Sequence, residues 1–262
     1  MLRSPLITVM IAAARKAARS LVRDFGEVEN LQVSLKGPSD FVSSADQRAE
    51  DIVFRELSKA RPTFGFLMEE RGEVKGSDPS QKWIVDPLDG TTNFLHGIPQ
   101  FAISIAAMKD DAVLAGLIYN PIADEMFVAE RGRGGFLNER RLRVAGRREL
   151  SNSVVCCGIP HAGRGNAEVF RKELAAVQTR VAGVRRFGAA ALDLAWVAAG
   201  RFDGFWERSL SPWDLAAGML IVREAGGLVT DLDGDMKVLE KGSVLAGNEY
   251  IHGALLSAIR SA

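Results

Sequence analysis

The chain has 262 residues, long enough for one large core or two fused halves. With 47% hydrophobic and 25% charged residues it has the balance of a globular protein, and 33 basic against 33 acidic side chains give a formal net charge of zero. That neutrality argues against a dedicated nucleic-acid binder, and a cysteine content of only Cys156 and Cys157 excludes a disulfide framework or a cysteine-based zinc site.

The first predicted element is an amphipathic helix over 5–25, with Leu6, Met10, Ala13, Ala14, Ala17 and Leu21 at helical spacing. Arg15, Lys16 and Arg19 interrupt its apolar start at once, unlike a signal peptide. No stretch reaches the ~18 apolar residues that span a bilayer, so no membrane partner is expected. Further helices are predicted at 44–59, 166–178, 189–200, 212–225 and 249–261. Strand-like runs fall at 63–68, 82–86, 99–109, 112–119, 124–130, 154–157, 203–207, 227–230 and 243–247. The runs from 99 to 130, joined by Asp110-Asp111 and Asn120-Pro121, read as an antiparallel meander. Interleaved strands and helices predict a layered α/β or α+β protein. The segment 131–148 reads as a seam, giving an N-terminal half over 1–145 and a C-terminal half over 146–262. Its basic cluster at 140–148 reads as a solvated surface. Cys156 and Cys157 are neighbours on a predicted strand and face opposite ways, so a bond between them would be strained. A reducing compartment, the cytoplasm, is the expected location.

Acidic side chains recur at the edges of these elements. Asp46 falls in the first turn of the 44–59 helix, where a negative charge suits the helix dipole. Lys36, before Gly37-Pro38, has the look of a surface lysine. The apolar run Phe64-Gly65-Phe66-Leu67-Met68 ends in Glu69-Glu70, either a solvated turn or a ligand at a strand end. Trp83-Ile84-Val85 delivers Asp86; Pro87 should stop the strand, since it has no N–H for the ladder. Asp89-Gly90 reads as a turn and Thr91-Thr92-Asn93 as the opening of a helical turn. Two carboxylates on such a corner can converge on one point, with the N–H groups of Gly90 and Thr91 outward beside them, where a helix start favours phosphate. Magnesium takes hard oxygen ligands and completes its shell with water and substrate phosphate. Asp86 alone reads as a strand-end cap and Asp89 alone as a turn residue. Ser211-Pro212-Trp213-Asp214 is a helix start with Ser at the N-cap, Pro at N1 and Asp at N3, which explains Asp214 as a cap while allowing it to face a cleft.

Asp86-Pro87-Leu88-Asp89-Gly90-Thr91-Thr92-Asn93-Phe94 resembles the first signature of the inositol monophosphatase family. Trp213-Asp214-Leu215-Ala216-Ala217-Gly218 with Glu224-Ala225-Gly226-Gly227 resembles the second. Lys36, Asp40, Ala45-Asp46-Gln47, Glu69-Glu70 and Tyr119-Asn120-Pro121 fall in the family's order, and Arg186-Phe187-Gly188-Ala189-Ala190-Ala191-Leu192-Asp193 is similar to the bacterial SuhB-like branch. The resemblance spans nearly the whole chain. It implies a layered αβαβα sandwich of the inositol monophosphatase and fructose-1,6-bisphosphatase type, a homodimer, and two to three Mg2+ ions, with Mn2+ as a possible substitute. It implies one metal site from Glu69, Asp86 and the Leu88 carbonyl, a second from Asp86, Asp89 and Asp214, and a third leaning on Glu69. Thr91, paired with Asp46, would orient or deprotonate the attacking water, and Lys36 would lie near the phosphate. The amides of Gly90 and Thr91, with Asp89, Gly188, Ala189, Ala190, Glu207 and Asp214, would line the substrate, Glu207 meeting the alcohol. Lithium sensitivity is part of the same expectation. Some relatives carry Ser or Thr at Ala189 and commonly Gly at Met68; the first departure removes a hydroxyl contact and weakens inositol specificity.

The expected reaction is metal-assisted in-line hydrolysis of a phosphate monoester, which needs no histidine or cysteine nucleophile. His96, His161 and His252 stand in no triad-like motif, and His96 reads as structural. A haloacid-dehalogenase mechanism would want Asp-x-Asp at a strand end; Asp86 and Asp89 have the wrong spacing, and Asp233-Gly234-Asp235 reads as a hairpin. Gly132-Arg133-Gly134-Gly135 opens no dinucleotide-binding helix, and no Walker loop is present. Inositol 1-phosphate is the expected substrate, with histidinol phosphate, fructose 1,6-bisphosphate and 3′-phosphoadenosine 5′-phosphate as alternatives. The more distant alternative is regulatory binding of RNA or RNA polymerase.

Overall fold

The computed structural model describes residues 4–27, 33–37, 40–161 and 163–262, with the backbone alone described at 33–37 and 40–42. Helix α1 (Pro5–Phe25) starts where Ser4 accepts the Ile7 N–H and Pro5 takes N1, and it buries Ile7, Met10, Ala14, Ala17 and Leu21. β1 (Val33–Gly37) and β2 (Asp40–Ser43) pair antiparallel and lead into α2 (Ser44–Ala60).

The larger sheet contains β3 (Phe64–Met68), β4 (Gly72–Val74), β5 (Asp78–Asp89), β6 (Ala102–Lys109), β7 (Ala112–Asn120), β8 (Glu125–Glu130), β9 (Gly134–Leu137) and β10 (Arg140–Arg141). Its order is β10-β9-β8-β7-β6-β5-β3-β4, and every pairing except the parallel β3–β5 is antiparallel. The meander expected over 99–130 is β6-β7-β8. The seam expected over 131–148 is partly strand, because β9 and β10 extend the sheet edge. The smaller sheet takes β11 (Val154–Cys157), β12 (Gly183–Arg185), β13 (Gly204–Glu207), β14 (Leu228–Thr230) and β15 (Val244–Gly247) in the order β12-β11-β13-β15-β14.

Alternation along the strands assigns the layers. Trp83, Val85, Ile103, Ile105, Leu117 and Val128 face α1 and α2, whereas Ile84, Ala106, Ile118 and Phe127 face the middle of the molecule. The middle layer is α5 (Ala190–Ala198) and α6 (Pro212–Glu224), buried almost all round. Cys156, Phe205, Val244 and Ala246 close that layer from the smaller sheet. Val155, Cys157, Trp206 and Leu245 face outward onto α8 (Glu249–Arg260) and α4 (Ala167–Gln178). The stack is therefore αβαβα. Cys156 and Cys157 are both free and buried, on opposite faces of β11.

Two local expectations change. β5 does not stop at Pro87 but runs to Asp89, because Asp86 pairs with Ser104 and Asp89 with Ala102, placing Pro87 in a bulge that needs no N–H from it. Asp233-Gly234-Asp235 is not a simple hairpin: it is a turn whose Asp233 and Asp235 N–H groups bond Asp231, and α7 (Val238–Lys241) follows before β15. Among the described residues no helix is long and apolar enough to cross a membrane.

Candidate active site

The bulge at the end of β5 turns Asp86 and Asp89 towards the middle layer. Asp86 Oδ1 accepts the Leu88 N–H at 2.8 Å, which closes the corner on itself. Gly90 follows at φ 96°, and an added Cβ there would lie 2.9 Å from the Gln100 carbonyl oxygen, so the turn needs glycine on both counts. Asp89 Oδ2 accepts the Ala191 N–H at 2.8 Å, bonding the corner to the first turn of α5. Asn93, in the short helix α3 (Thr91–Leu95), donates to the carbonyls of Gln100 at 2.8 Å and Phe187 at 2.7 Å. Ser104 donates to the Trp213 carbonyl at 3.0 Å and holds the start of α6 against β6. These ties bring segments about 100 residues apart in sequence to one end of the middle layer.

There Asp86, Asp89 and Asp214 each offer a carboxylate oxygen, all within 4.8 Å of one another, and all three are buried. Glu69 follows β3, whose parallel pairing with β5 sets it beside Asp86, and its N–H bonds the Val85 carbonyl at 3.2 Å. The turn after it is pinned by Glu50, which accepts the Glu70 N–H at 2.9 Å. Burial, then the neighbouring charges of Glu69, Asp89 and Asp214, push the Asp86 carboxyl well above its usual range. Burial and Asp214 do the same to Asp89. Asp214 is raised by burial but held back by Arg164 and by the Ser211 N–H, 2.8 Å from its Oδ2. A hard divalent cation held by these three clustered carboxylates would offset their mutual repulsion, so the donor set fits an ion such as Mg2+ or Mn2+.

Asp46 lies fully buried beneath this cluster. It caps α2 through the Ser43 N–H at 2.9 Å and accepts the Thr91 hydroxyl at 2.9 Å through its other oxygen. The same hydroxyl lies 3.1 Å from the Leu88 carbonyl. Burial raises the Asp46 carboxyl against the hydrogen bonds that favour its charge.

A cleft of about 650 Å³ opens over these groups, lined by Glu69, Asp86, Leu88, Asp89, Gly90, Thr91, Gly188, Ala190, Glu207 and Asp214 among others. Ala189 sits behind the wall with its methyl buried against Gly90, and the Lys36 side chain lies outside the described residues. Glu207 ends β13 on the far wall; burial and Asp214 push its carboxyl up to about 7. His96 is exposed, His252 is buried 2.9 Å from the Thr230 hydroxyl, and His161 lines the cleft. Sequence reasoning gave no role to Arg164, bonded to Asp214, or to the cleft-lining Arg186, which opens a quoted motif. It also gave no role to Asp193, which ends that motif and is buried on α5 with no hydrogen-bond partner at Oδ1.

The family model for the inositol monophosphatase family matches residues 2–262. An inositol-1-monophosphatase of Mesorhizobium japonicum is 64% identical over 260 residues, covering 99% of this chain and 98% of that protein. A Nus factor SuhB of Pseudomonas aeruginosa is 42% identical over 260 residues, covering 98% of this chain and 96% of that protein. The crystal structure of extragenic suppressor protein suhB from Bartonella henselae superposes with a TM-score of 0.96 at 58% identity, covering 98% of each chain. With signatures, layer order and carboxylate cluster in agreement, the chain belongs to the inositol monophosphatase family and is a phosphatase.

Proposed function

We propose that the protein hydrolyses inositol 1-phosphate to inositol and phosphate with Mg2+ in the carboxylate cluster. The convergence of buried Asp86, Asp89 and Asp214, with Glu69 beside them, carries this reading. Glu69, Asp86, Asp89, Asp214 and the Leu88 carbonyl would hold two to three ions, which supply charge neutralisation and a lowered pKa for the attacking water. The Thr91 hydroxyl takes the water's proton as it passes its own to Asp46, whose burial favours the neutral form. The water oxygen bonds phosphorus, the phosphorus–alcohol bond breaks on the opposite side, and the departing alkoxide takes a proton from solvent. The N–H groups of Gly90 and Thr91 bind phosphate oxygens, and Glu207, with the Gly188 to Ala190 backbone, receives the alcohol's hydroxyls. Lys36 supplies charge near the phosphate. The working unit would be a homodimer in the cytoplasm, and its hydrolysis would be sensitive to Li+.

A phosphate-release screen over monoesters, with and without Mg2+, tests the proposal: inositol 1-phosphate should lead histidinol phosphate, fructose 1,6-bisphosphate and 3′-phosphoadenosine 5′-phosphate. Absence of Mg2+-dependent release from every ester would overturn it. The relative named as a Nus factor favours a second reading, contact with RNA or the transcription machinery. The basic segment 140–148 is partly engaged within the chain, since Arg147 pairs with Asp203 and Arg148 stacks on Tyr250, so this reading is secondary. Asp86→Asn separates the two: turnover should vanish and any such binding persist.

A further inference from the structure

The cleft carries a cation that neither signature supplies. Arg164 stands between β11 and α4, in a loop tightened by reciprocal backbone hydrogen bonds of 3.2 and 2.9 Å between His161 and Arg164. Its Nε donates to the Ser209 carbonyl at 2.6 Å, and its Nη2 donates to Asp214 Oδ2 at 3.0 Å. Asp214 Oδ2 also accepts the Ser211 N–H at 2.8 Å, so both its lone pairs are engaged and Oδ1 is the oxygen left to the cluster. One planar guanidinium thus joins the outer wall of the cleft to a carboxylate of the cluster and to the backbone before α6.

We propose that Arg164 is a positioning residue that lowers the divalent-ion affinity of the cluster and fastens its own part of the cleft wall through its paired bonds to Asp214 and Ser209. The proposal rests on the reading of the cluster as a cation site. Its two effects have separate physical origins. A fixed positive charge bonded to one carboxylate opposes an incoming dication and shares the charge that would bind it. The loop, by contrast, is held by fork geometry, which an ammonium on a flexible stem cannot reproduce at two acceptors. A weaker ion is an ion that can leave with phosphate, so the charge is set against tight retention.

Mn2+ binding followed by electron paramagnetic resonance, with hydrogen exchange of the Gly158, His161 and Arg164 amides, tests both effects without turnover. Arg164→Gln should bind Mn2+ about 10-fold more tightly, with exchange in the loop about 10-fold faster. Arg164→Lys should keep Mn2+ affinity within about 3-fold of the parent while the loop still exchanges fast. With inositol 1-phosphate at saturating Mg2+, both variants should raise KM, and Arg164→Gln should also lower kcat as the retained ion slows product release. Unchanged or weaker Mn2+ binding by a folded Arg164→Gln, or full loop protection in Arg164→Lys, would overturn the proposal. Asp86→Asn distinguishes its premise: if that variant bound Mn2+ like the parent, the cation-site reading itself would fail.

Discussion

Asp86→Asn should make the protein more stable without divalent ions and less stable than the parent with them. Asp86 is 2% exposed, and oxygens of Asp89 and Asp214 lie within 4.8 Å of one of its own. Two unit charges at that separation repel by about 3.5 kcal/mol at an effective dielectric constant of about 20. Partial protonation relieves much of this, because burial and three acidic neighbours raise the carboxyl. A carboxyl raised in the folded state contributes stability that is complete below its ordinary value of 3.8 and lost as pH rises, so the cost is present at neutral pH. Asparagine removes the charge and keeps the acceptor for the Leu88 N–H. The expected gain in EDTA is about 2 kcal/mol, or roughly 4–8 °C in Tm for a chain of this size. Mg2+ at 100 times its Kd should add about 2.7 kcal/mol per ion to the parent and little to the variant, reversing their order. Scanning calorimetry in EDTA and in Mg2+ measures both, and phosphate release should fall at least about 10³-fold. A variant that melts lower in EDTA, or keeps the parent's Mg2+ shift, would refute the electrostatic account.

Thr91→Val should lower kcat about 10²- to 10⁴-fold with little change in KM, while Thr91→Ser retains most activity, as steady-state kinetics would show. Glu207→Gln should flatten the dependence of Tm on pH: the Glu207 carboxyl is raised from 4.5 to about 7, so its contribution is whole below the first value and lost by the second. Melting curves taken from pH 4 to pH 8 would test this. Asp193→Asn should stabilise the fold at neutral pH by about 1–3 kcal/mol, since a buried carboxyl with an orphaned Oδ1 becomes an amide, and the gap should close on acidification. Gly158→Ala places a Cβ 1.8 Å from Glu207 Cδ, so KM for inositol 1-phosphate should rise while the Mg2+-dependent Tm shift stays.

The fold was legible wherever burial imposes a period. α1 and α2 show one apolar face, and β5 to β8 carry side chains that alternate between two cores, so both types could be read from spacing. The elements that escaped are short or polar. β10 is two exposed arginines, β4 and β12 are three-residue pieces at sheet edges, and α7 is a single turn. Their pairing comes from the partner strand, and no local pattern announces it. Pro87 misled for a related reason: its missing N–H ends a regular strand, yet a bulge accommodates it and aims the two aspartates.

The site was legible through ambiguous residues, and the ambiguity turns out to be physical. Asp46 and Asp214 each cap a helix with one oxygen and present the other outward, to Thr91 or to the cluster. Asp86 closes its own bulge, and Asp89 holds the first turn of α5. The structural role is thus the means by which each carboxylate is aimed, because a side chain bonded to a helix start or a bulge loses its rotamer freedom before any ligand arrives. Arg164 had no such signature. Its partner Asp214 lies 50 residues on, and nothing in the loop that bears it distinguishes a guanidinium over a cleft from one in solvent. Carboxylates that cap a helix or sit at a bulge leave a local trace in sequence, whereas a loop guanidinium aimed only by a distant partner leaves none.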